Sequence, residues 1–299
     1  MPPLPLFFLC GAMIPLQSPS KPQTLNFIVP PHDQGDACDL LAEQTGLSKT
    51  KLKEAMNKGA VWIKRGRKEE RLRKATFQVK GGDQLTLYYD PTILAIEPPL
   101  AECLFDGTHY SVWDKPPGLL AQGTRQGDHC ALLRQVEKHL MGRREIPHLV
   151  HRLDREAEGL MLIAHGGAAA EKLSALFREG KIAKRYRIQV RGNPADTLGS
   201  NGLLEEPLDG KTAKTGFSVE SFDERRNVAT VMVDLFTGRK HQIRRHFELA
   251  GYPVMGDPRY GENNSDPEGL RLMAVELRFV DPWNGRDRSF VLPPERLLF

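Results

Sequence analysis

The chain has 299 residues, enough for two domains of ordinary size or one large one. Its hydrophobic content of 40% and charged content of 27% are those of a soluble globular protein. No apolar run approaches the roughly 18 residues of a membrane-spanning helix, so we expect no membrane partner.

The four cysteines are scattered, at Cys10, Cys38, Cys103 and Cys130, and no two form a Cys-x-x-Cys pair. This spacing argues against a zinc knuckle and against a disulfide framework. It fits a reducing compartment, and we therefore expect a cytoplasmic protein.

Basic charge is concentrated in one short segment. Residues 49–74 contain eleven Lys or Arg and three acidic residues, so the segment carries +8 while the whole chain carries +4 and the remainder −4. A localised basic surface on a mildly acidic body indicates binding to an anion such as nucleic acid. The alternative is a solvated lysine-rich face.

The chain is predicted to begin with a flexible extension, residues 1–22, which is rich in Pro and Ser. The apolar stretch from Leu4 to Leu16 lacks a basic flank and contains two prolines, so it is a poor signal peptide. Met13 is an alternative start.

A small α/β domain is predicted over residues 23–97, including a proline-rich linker at 91–99. Ser48 suits a helix N-cap and Gly59 suits a helix end. Apolar spacing and turn signals predict two helices and then three strands, at 39–41, 48–58, 61–63, 77–79 and 85–89.

The segments SKTKLKEAMNKGAVWIKRG and VKGGDQLTLYY resemble an S4-like RNA-binding module, over about residues 35–90. Lys64-Arg65 stand where that module usually has Asn-Gly. The resemblance implies that basic residues on the helix and the following loop contact RNA phosphates. These predicted contacts are Lys49, Lys51, Lys64, Arg65 and Arg67.

The rest of the chain, residues 98–299, mixes strands and helices without regular alternation or repeats. This pattern predicts an α+β fold around a mostly antiparallel mixed sheet with flanking helices. Strands are expected at 111–113, 160–164, 185–190 and 228–235, and helices at 168–178 and 241–250.

The tetrapeptide His151-Arg152-Leu153-Asp154 precedes an apolar run at 159–164. It places one carboxylate shortly before a predicted buried strand, after a histidine and an arginine. That arrangement suits a nucleophile or base acting on an anionic substrate. Taken alone, Asp154 also fits an ordinary capping residue.

Four further motifs, KPPG, KRY, TGRKHQIR and GYPVMGDPRYG, occur at 115–118, 184–186, 237–244 and 251–261. In this order they resemble the RluA-type family of RNA pseudouridine synthases, over about residues 105–295. With the S4-like module, the arrangement is similar to bacterial members that modify large-subunit rRNA. The resemblance implies an isomerase that acts on structured RNA, rRNA or tRNA, as a monomer without cofactor or metal.

The resemblance also implies the roles of individual residues. Asp154 is the catalytic aspartate, Tyr186 packs against the target base, and Arg244 pairs with the aspartate. Further RNA contacts are predicted at Arg152, which helps to hold the RNA open, and at His151, Lys115, Arg239 and His241.

Pseudouridylation breaks the N1–C1′ bond of uridine, turns the base over and rejoins it through C5. The carboxylate can attack C1′ to give an acylal or take the 2′ proton to give a glycal, and the sequence leaves both open. Because the target lies inside structured RNA, it must be flipped out of its stack.

Two residues depart from the family pattern, since Ala157-Glu158 stand where Thr-Ser is usual. Unless Glu158 points to solvent, its charge is expected to raise the pKa of Asp154 or to weaken RNA binding. This departure motivates the runner-up function, a catalytically silent RNA-binding or ribosome-assembly factor. A third candidate is a glycosidase-like hydrolase that releases uracil.

Overall fold

A computed structural model describes residues 21–297 and residue 299. The predicted extension at 1–22, except for its last two residues, lies outside this described part, as do Cys10 and Met13. The chain divides into two compact units. Of the described residues, the first unit contains those up to Pro98 together with Gln122–Arg134, and the second contains Pro99–Ala121 and those from Gln135 onward.

The first unit is a small α/β structure, as its apolar pattern predicts. A four-stranded antiparallel sheet has the order β1-β6-β3-β4, and β2 pairs with β5. In chain order its elements are β1 (Gln23–Ile28), β2 (Gln34–Asp36), α1 (Ala37–Thr45), α2 (Lys49–Asn57), β3 (Val61–Arg65), β4 (Lys68–Arg71), β5 (Gln78–Lys80), β6 (Gln84–Tyr89) and α3 (Pro91–Leu94).

Local signals in the sequence account for the helices of this unit. The Ser48 side chain caps α2 by accepting a hydrogen bond from the backbone N–H of Lys51, and the apolar residues Leu52, Ala55 and Met56 of α2 are buried. Helix α3 forms inside the segment predicted as a linker, because Asp90 caps it and Pro91 occupies its first position. The proline-rich composition therefore signalled a helix start as well as a connection.

The segment Gln122–Arg134 packs within the first unit through buried charge. Asp128 is 8% exposed and forms ion pairs with Arg71 and Arg73. The Arg71 guanidinium also lies 4.4 Å from the ring centroid of Trp62. The second domain predicted from the sequence, residues 98–299, includes this segment, whereas in the structure the segment packs with the first unit.

The second unit carries the remaining elements, and α4 spans the chain position at which the units change. They are β7 (Glu102–Asp106), β8 (Tyr110–Lys115), α4 (Leu132–His139), β9 (Pro147–Leu149), β10 (Glu158–His165), α5 (Gly167–Arg178), β11 (Ala183–Arg191), α6 (Ala195–Leu198), β12 (Asn201–Leu204), β13 (Thr215–Asp223), β14 (Val228–Leu235), α7 (Gln242–Leu249), β15 (Leu272–Val280), β16 (Asp287–Val291) and a 3₁₀ turn (Pro294–Arg296).

These strands form one ten-stranded sheet with the order β12-β13-β14-β11-β15-β10-β8-β7, and β16 and β9 add to β15 and β10. Every pairing in it is antiparallel except that of β10 with β15. The predicted mostly antiparallel α+β fold is therefore confirmed. Strand β10 is buried along its whole length, which explains its uninterrupted apolar sequence.

The parallel pairing of β10 with β15 depends on a glycine. Gly159 pairs with Ala274 and has a φ of 104°, a conformation that other residues rarely adopt. A Cβ atom at Gly159 would also overlap the backbone of Ala274. The glycine thus lets the strand after Asp154 run into the centre of the sheet.

Among the described residues, no helix has both the length and the apolar composition needed to cross a membrane.

Candidate active site

Asp154 lies in the loop between β9 and β10, in the second unit, and its side chain is 21% exposed. Its Oδ2 accepts a 2.8 Å hydrogen bond from Nη1 of Arg244. Its Oδ1 lies 3.6 Å from Nε2 of His241. The predicted pairing of Asp154 with Arg244 is therefore confirmed, although the two residues are 90 positions apart.

Arg244 lies on the first turn of α7 and is only 1% exposed. Its Nε and Nη2 donate hydrogen bonds of 2.6 and 2.7 Å to the two carboxylate oxygens of Asp257. Burial disfavours the charged guanidinium, but its hydrogen bonds to Asp257 and Asp154 raise the pKa of Arg244 above its ordinary value. The guanidinium is thus a fixed, permanent cation.

Asp257 is itself held in place. Its side chain has no exposed surface, and its Oδ1 accepts hydrogen bonds from the backbone N–H groups of Arg259 and Tyr260. The three side chains therefore form a chain, Asp257–Arg244–Asp154, whose buried end is rigid and whose outer end carries the candidate catalytic carboxylate.

His241 directly precedes α7 with a left-handed φ of 53°. Its Nδ1 lies 3.0 Å from the Tyr260 hydroxyl, whose ring in turn packs against Arg244. Burial lowers the pKa of His241 below its ordinary 6.5, and the Asp154 carboxylate only partly opposes this. At neutral pH its contact with Asp154 is therefore that of a neutral imidazole.

Tyr186 lies in the middle of the sheet on β11, opposite Val233 of β14. It is 6% exposed and lines the same cleft as Asp154. Burial, and then the Asp154 carboxylate, raise the pKa of the Tyr186 hydroxyl above its ordinary value. The phenol is protonated at neutral pH.

The cleft has a volume of about 880 Å³. Its lining contains two carboxylates, Asp154 and Glu179, and more cationic groups than these can balance. The cationic side chains are Arg152, Arg178, Lys184, Arg239 and Lys240. Such a cleft suits a polyanion. Among residues 21–297 and 299, no three His, Cys, Asp or Glu side chains converge as a metal site.

His151 forms a wall of the cleft and carries no charge there. Its Nε2 accepts a hydrogen bond from the backbone N–H of Leu162, and its ring stacks on Phe177. Burial, and then the charge of Lys184, lower the pKa of His151 to about 3. Its geometry holds the Asp154 loop against β10 and gives no cationic contact to RNA.

The predicted RNA contact of Lys115 requires correction. Lys115 has no exposed surface, and its Nζ donates to the backbone carbonyls of Leu119, Pro116 and Arg155 at 2.8, 3.0 and 3.3 Å. Burial lowers the pKa of Lys115 to about 8. The ammonium ties the loop after β8 to the Asp154 loop and is inaccessible to a phosphate.

Ala157 and Glu158 are also inside the protein, at 1% and 6% exposure. Glu158 therefore does not point to solvent, and it is not among the residues that line the cleft. Burial, and then the nearby charge of Asp114, raise the pKa of Glu158. The departure from the family pattern is therefore accommodated in the interior.

The predicted RNA contacts in the first unit divide into two groups. Lys49 pairs with Asp39, and Arg65 donates two hydrogen bonds to the carboxylate of Asp83. The other three are exposed, and no ion pair joins them to a carboxylate in the described part of the chain; they are Lys51, Lys64 and Arg67.

The site contains residues that the sequence reasoning did not assign. Asp257 and Tyr260 belong to the recognised GDPRYG motif, so that motif was a usable signal for both. Lys184 and Phe236 also line the cleft. Lys184 precedes Tyr186 by two positions on the same strand, which was a weaker signal, and nothing in the sequence marked Phe236.

The sequence model of a family described as RNA pseudouridylate synthase matches residues 109–249, a range that contains Asp154, Tyr186 and Arg244. A human structure titled RNA Pseudouridylate Synthase Domain Containing 1 shares the fold. Its TM-score is 0.54 at 22% identity, and the match covers 66% of this chain and 86% of the other.

Two curated relatives extend the comparison. The Dual-specificity RNA pseudouridine synthase RluA of Salmonella typhi is 30% identical over 66% of this chain and 94% of its own. The Ribosomal large subunit pseudouridine synthase D of Zymomonas mobilis is 27% identical over 82% and 86%. These matches, and the motifs that the fold gathers around Asp154, establish that the chain belongs to the RluA-type family of RNA pseudouridine synthases.

Proposed function

We propose that this protein isomerises a uridine in structured RNA to pseudouridine, with Asp154 as the catalytic carboxylate. The observation that carries the proposal is the Asp257–Arg244–Asp154 chain at the surface of a basic cleft. A fixed cation is hydrogen-bonded to one carboxylate in a basic cleft that suits a polyanion, and the chemistry requires a carboxylate there.

The residues of the cleft can be assigned to steps of the reaction. Asp154 either attacks C1′ or removes the 2′ proton, and the N1–C1′ bond breaks. The uracil turns over against Tyr186, and C1′ bonds to C5 as the bond from Asp154 to C1′ breaks or, in the glycal route, as Asp154 returns the 2′ proton. The C5 proton then leaves and N1 gains a proton. Because the pKa of Tyr186 is raised, its hydroxyl acts as a neutral hydrogen-bonding group, and its ring supplies the stacking surface.

Large-subunit rRNA is the substrate that we favour, with tRNA as the second choice. A relative that aligns with 82% of the chain carries a large-subunit rRNA synthase name, and an RluA relative is named for dual specificity. We further propose that the first unit is an S4-like module whose exposed cations Lys51, Lys64 and Arg67 contact RNA phosphates. The scattered cysteines support a cytoplasmic site of action.

Asp154→Asn tests the assignment because it removes the charge and keeps the shape. We expect tritium release from C5-labelled uridine RNA to be lost while RNA binding persists. The exposed Asp196→Asn, in α6, is the matched control and should retain activity. Activity in Asp154→Asn equal to that of the wild type would exclude Asp154 as the catalytic group.

A silent RNA-binding protein on this fold remains the second candidate, motivated by Ala157-Glu158. Pseudouridine mapping of total RNA with and without the gene separates the two functions and also locates the target. A site that disappears with the gene supports the enzyme, and no changed site supports the silent factor. Free uracil as the product would instead indicate a hydrolase.

A further inference from the structure

Phe236 is an exposed aromatic residue in the cleft. It follows β14 directly, lines the cleft and is 55% exposed. Leaving a large aromatic side chain in water forgoes a substantial hydrophobic gain. None of the steps assigned above uses this ring.

The ring rests on a surface that suits it. In β13, Gly216 lies beneath it, and a Cβ atom there would come within 3.0 Å of a ring carbon of Phe236. A glycine inside a strand marks a close approach of another group. The backbone N–H of Phe236 donates a 3.2 Å hydrogen bond to the carbonyl of Lys214, which fixes the base of the side chain.

Cationic residues lie beside the exposed ring, and one of them, Lys214, also pairs with Glu205 at 3.2 Å. Nζ of Lys214 lies 5.9 Å from the ring centroid, and the chain continues from Phe236 through Thr237 and Gly238 to Arg239 and Lys240. The immediate surroundings therefore offer one aromatic face among positive charges. That combination recognises a nucleotide, whose base stacks while its phosphate pairs with the cations.

On the basis of the proposed function, we propose that Phe236 is the stacking platform for a nucleobase that neighbours the target uridine. Tyr186 is opposite Val233, and Phe236 follows Val233 by three residues, which is about 10 Å along a strand. The two rings thus stand at separate positions along one cleft, and we assign the target base to Tyr186 and a neighbouring base to Phe236. The ring meets a flanking nucleotide and contributes to the choice of the RNA sequence context.

The test compares Phe236→Ala, Phe236→Leu and Phe236→Trp in Asp154→Asn protein, which binds without turnover. The probe is a short oligouridylate that carries one 2-aminopurine, whose fluorescence falls when the base stacks. We expect Phe236→Ala and Phe236→Leu to weaken binding about tenfold and to abolish the quenching, because base–aromatic stacking contributes on that order. Phe236→Trp should retain both.

Two further readouts separate stacking from general damage. The salt dependence of binding should be unchanged in all three variants, because no charge is removed. Leu203→Ala removes another exposed apolar side chain, 42% exposed and outside the cleft lining, and should bind as the parent does. Phe236→Leu that binds and quenches like the parent would overturn the proposal.

Failure of the proposed function would give a different result. The wild-type protein could form no pseudouridine while fluorescence quenching still requires an aromatic residue at position 236. That result would reject the proposed catalysis and keep the proposal that Phe236 stacks on a base. The Phe236→Leu enzyme can also be assayed on total RNA from the gene-deleted strain. Normal activity with an unaltered KM would reject the stacking role of Phe236 and retain the proposed catalysis.

Discussion

At the scale of single residues, the candidate site depends on a cation with two anionic partners. Arg244 is buried, so its charge is tolerated only because Asp257 and Asp154 both accept its hydrogen bonds. Asp257 takes two of the three hydrogen bonds and is the more deeply buried partner. We therefore regard Asp257 as the positioning residue that directs Arg244 toward Asp154.

Asp257→Asn is expected to destabilise the protein by about 3 kcal/mol, because it leaves a buried guanidinium without its main counter-charge. It should also lower kcat more than it weakens RNA binding, since the orientation of Asp154 is disturbed while the basic cleft remains. Urea unfolding measures the first effect, and single-turnover tritium release measures the second.

The neighbouring Arg245 provides a matched control. Its Nη1 and Nη2 donate two hydrogen bonds to the carboxylate of Asp209, which is also a bidentate pair, but the Asp209 side chain is 70% exposed. Asp209→Asn should change the stability far less than Asp257→Asn does, because solvent screens an exposed pair. Equal losses in the two variants would show that burial does not set the importance of Asp257.

The sequence could name Asp154, Tyr186 and Arg244 because each lies in a recognisable motif, and the fold brings all three to one region. It could not place Lys115 correctly, because a lysine is normally a surface residue. The three carbonyls that accept its hydrogen bonds come from two separate loops, and only the folded chain brings those loops together.

At the scale of elements, the loop that carries Asp154 leads into β10 through an unusual buried acid. The folded-state pKa of Glu158 is raised above its ordinary 4.5, so the folded protein binds this proton more readily than the unfolded chain. The stabilisation from this group is fully present below about pH 4.5 and is lost as the pH rises through the folded-state pKa. Ionisation of the buried Glu158 as the pH rises therefore lowers the stability of the folded protein.

Glu158→Gln should consequently raise the unfolding temperature at pH 8, and the gain should shrink as the pH falls toward 4.5. Thermal unfolding followed by circular dichroism across this range measures the effect. A gain that is independent of pH would show that the charge of Glu158 is not the cause.

Glu156, in the same loop, predicts the opposite sign. Burial disfavours its charge, but hydrogen bonds from its own backbone N–H and from Arg155 lower its pKa below the ordinary 4.5. Its stabilising contribution is present above that pH and is lost as the pH falls through the folded-state pKa. Glu156→Gln should therefore lower the unfolding temperature at neutral pH, and the loss should disappear in acid.

The sequence predicted strands β8, β10, β11 and β14 and helices α5 and α7 of this unit, where local apolar periodicity is clear, and it missed the other elements. Strand order is a different matter. Pairing of β10 with β15 joins Glu158 to Met273, more than a hundred positions later, and no local pattern encodes that choice. The inclusion of 122–134 in the first unit likewise depends on Asp128, whose partners Arg71 and Arg73 lie far earlier in the chain.

At the scale of the whole molecule, positive charge is supplied in two places. The cleft of the second unit collects cations around Asp154, and the basic segment 49–74 lies in the first unit. Much of that segment is balanced by nearby acids, since six of its cations pair with carboxylates; these are Lys49, Lys58, Arg65, Lys68, Arg71 and Arg73. The net charge of the segment is therefore larger than the positive charge that is available to contact RNA.

Exposed, unbalanced cations should determine the salt dependence of RNA binding. Replacing Lys64 and Arg67 together by Gln should reduce the magnitude of the slope of log K against log salt by about 0.7–0.9 for each RNA phosphate that is no longer neutralised. The measurement is filter binding of total RNA over a salt series, with Asp154→Asn protein so that turnover does not interfere.

Arg225 and Arg226, exposed in the turn between β13 and β14, allow the same charge change at a place distant in sequence from both basic regions. Their double replacement by Gln should leave the slope unchanged if phosphate contacts are specific to the first unit. Equal reductions in both double variants would mean that net charge alone governs binding, and an unchanged slope in Lys64/Arg67→Gln would mean that the basic segment is only a solvated face. Either result would reject the proposal that the first unit makes specific contacts with RNA phosphates. The assignment of Asp154 would be unaffected, because it rests on contacts within the second unit.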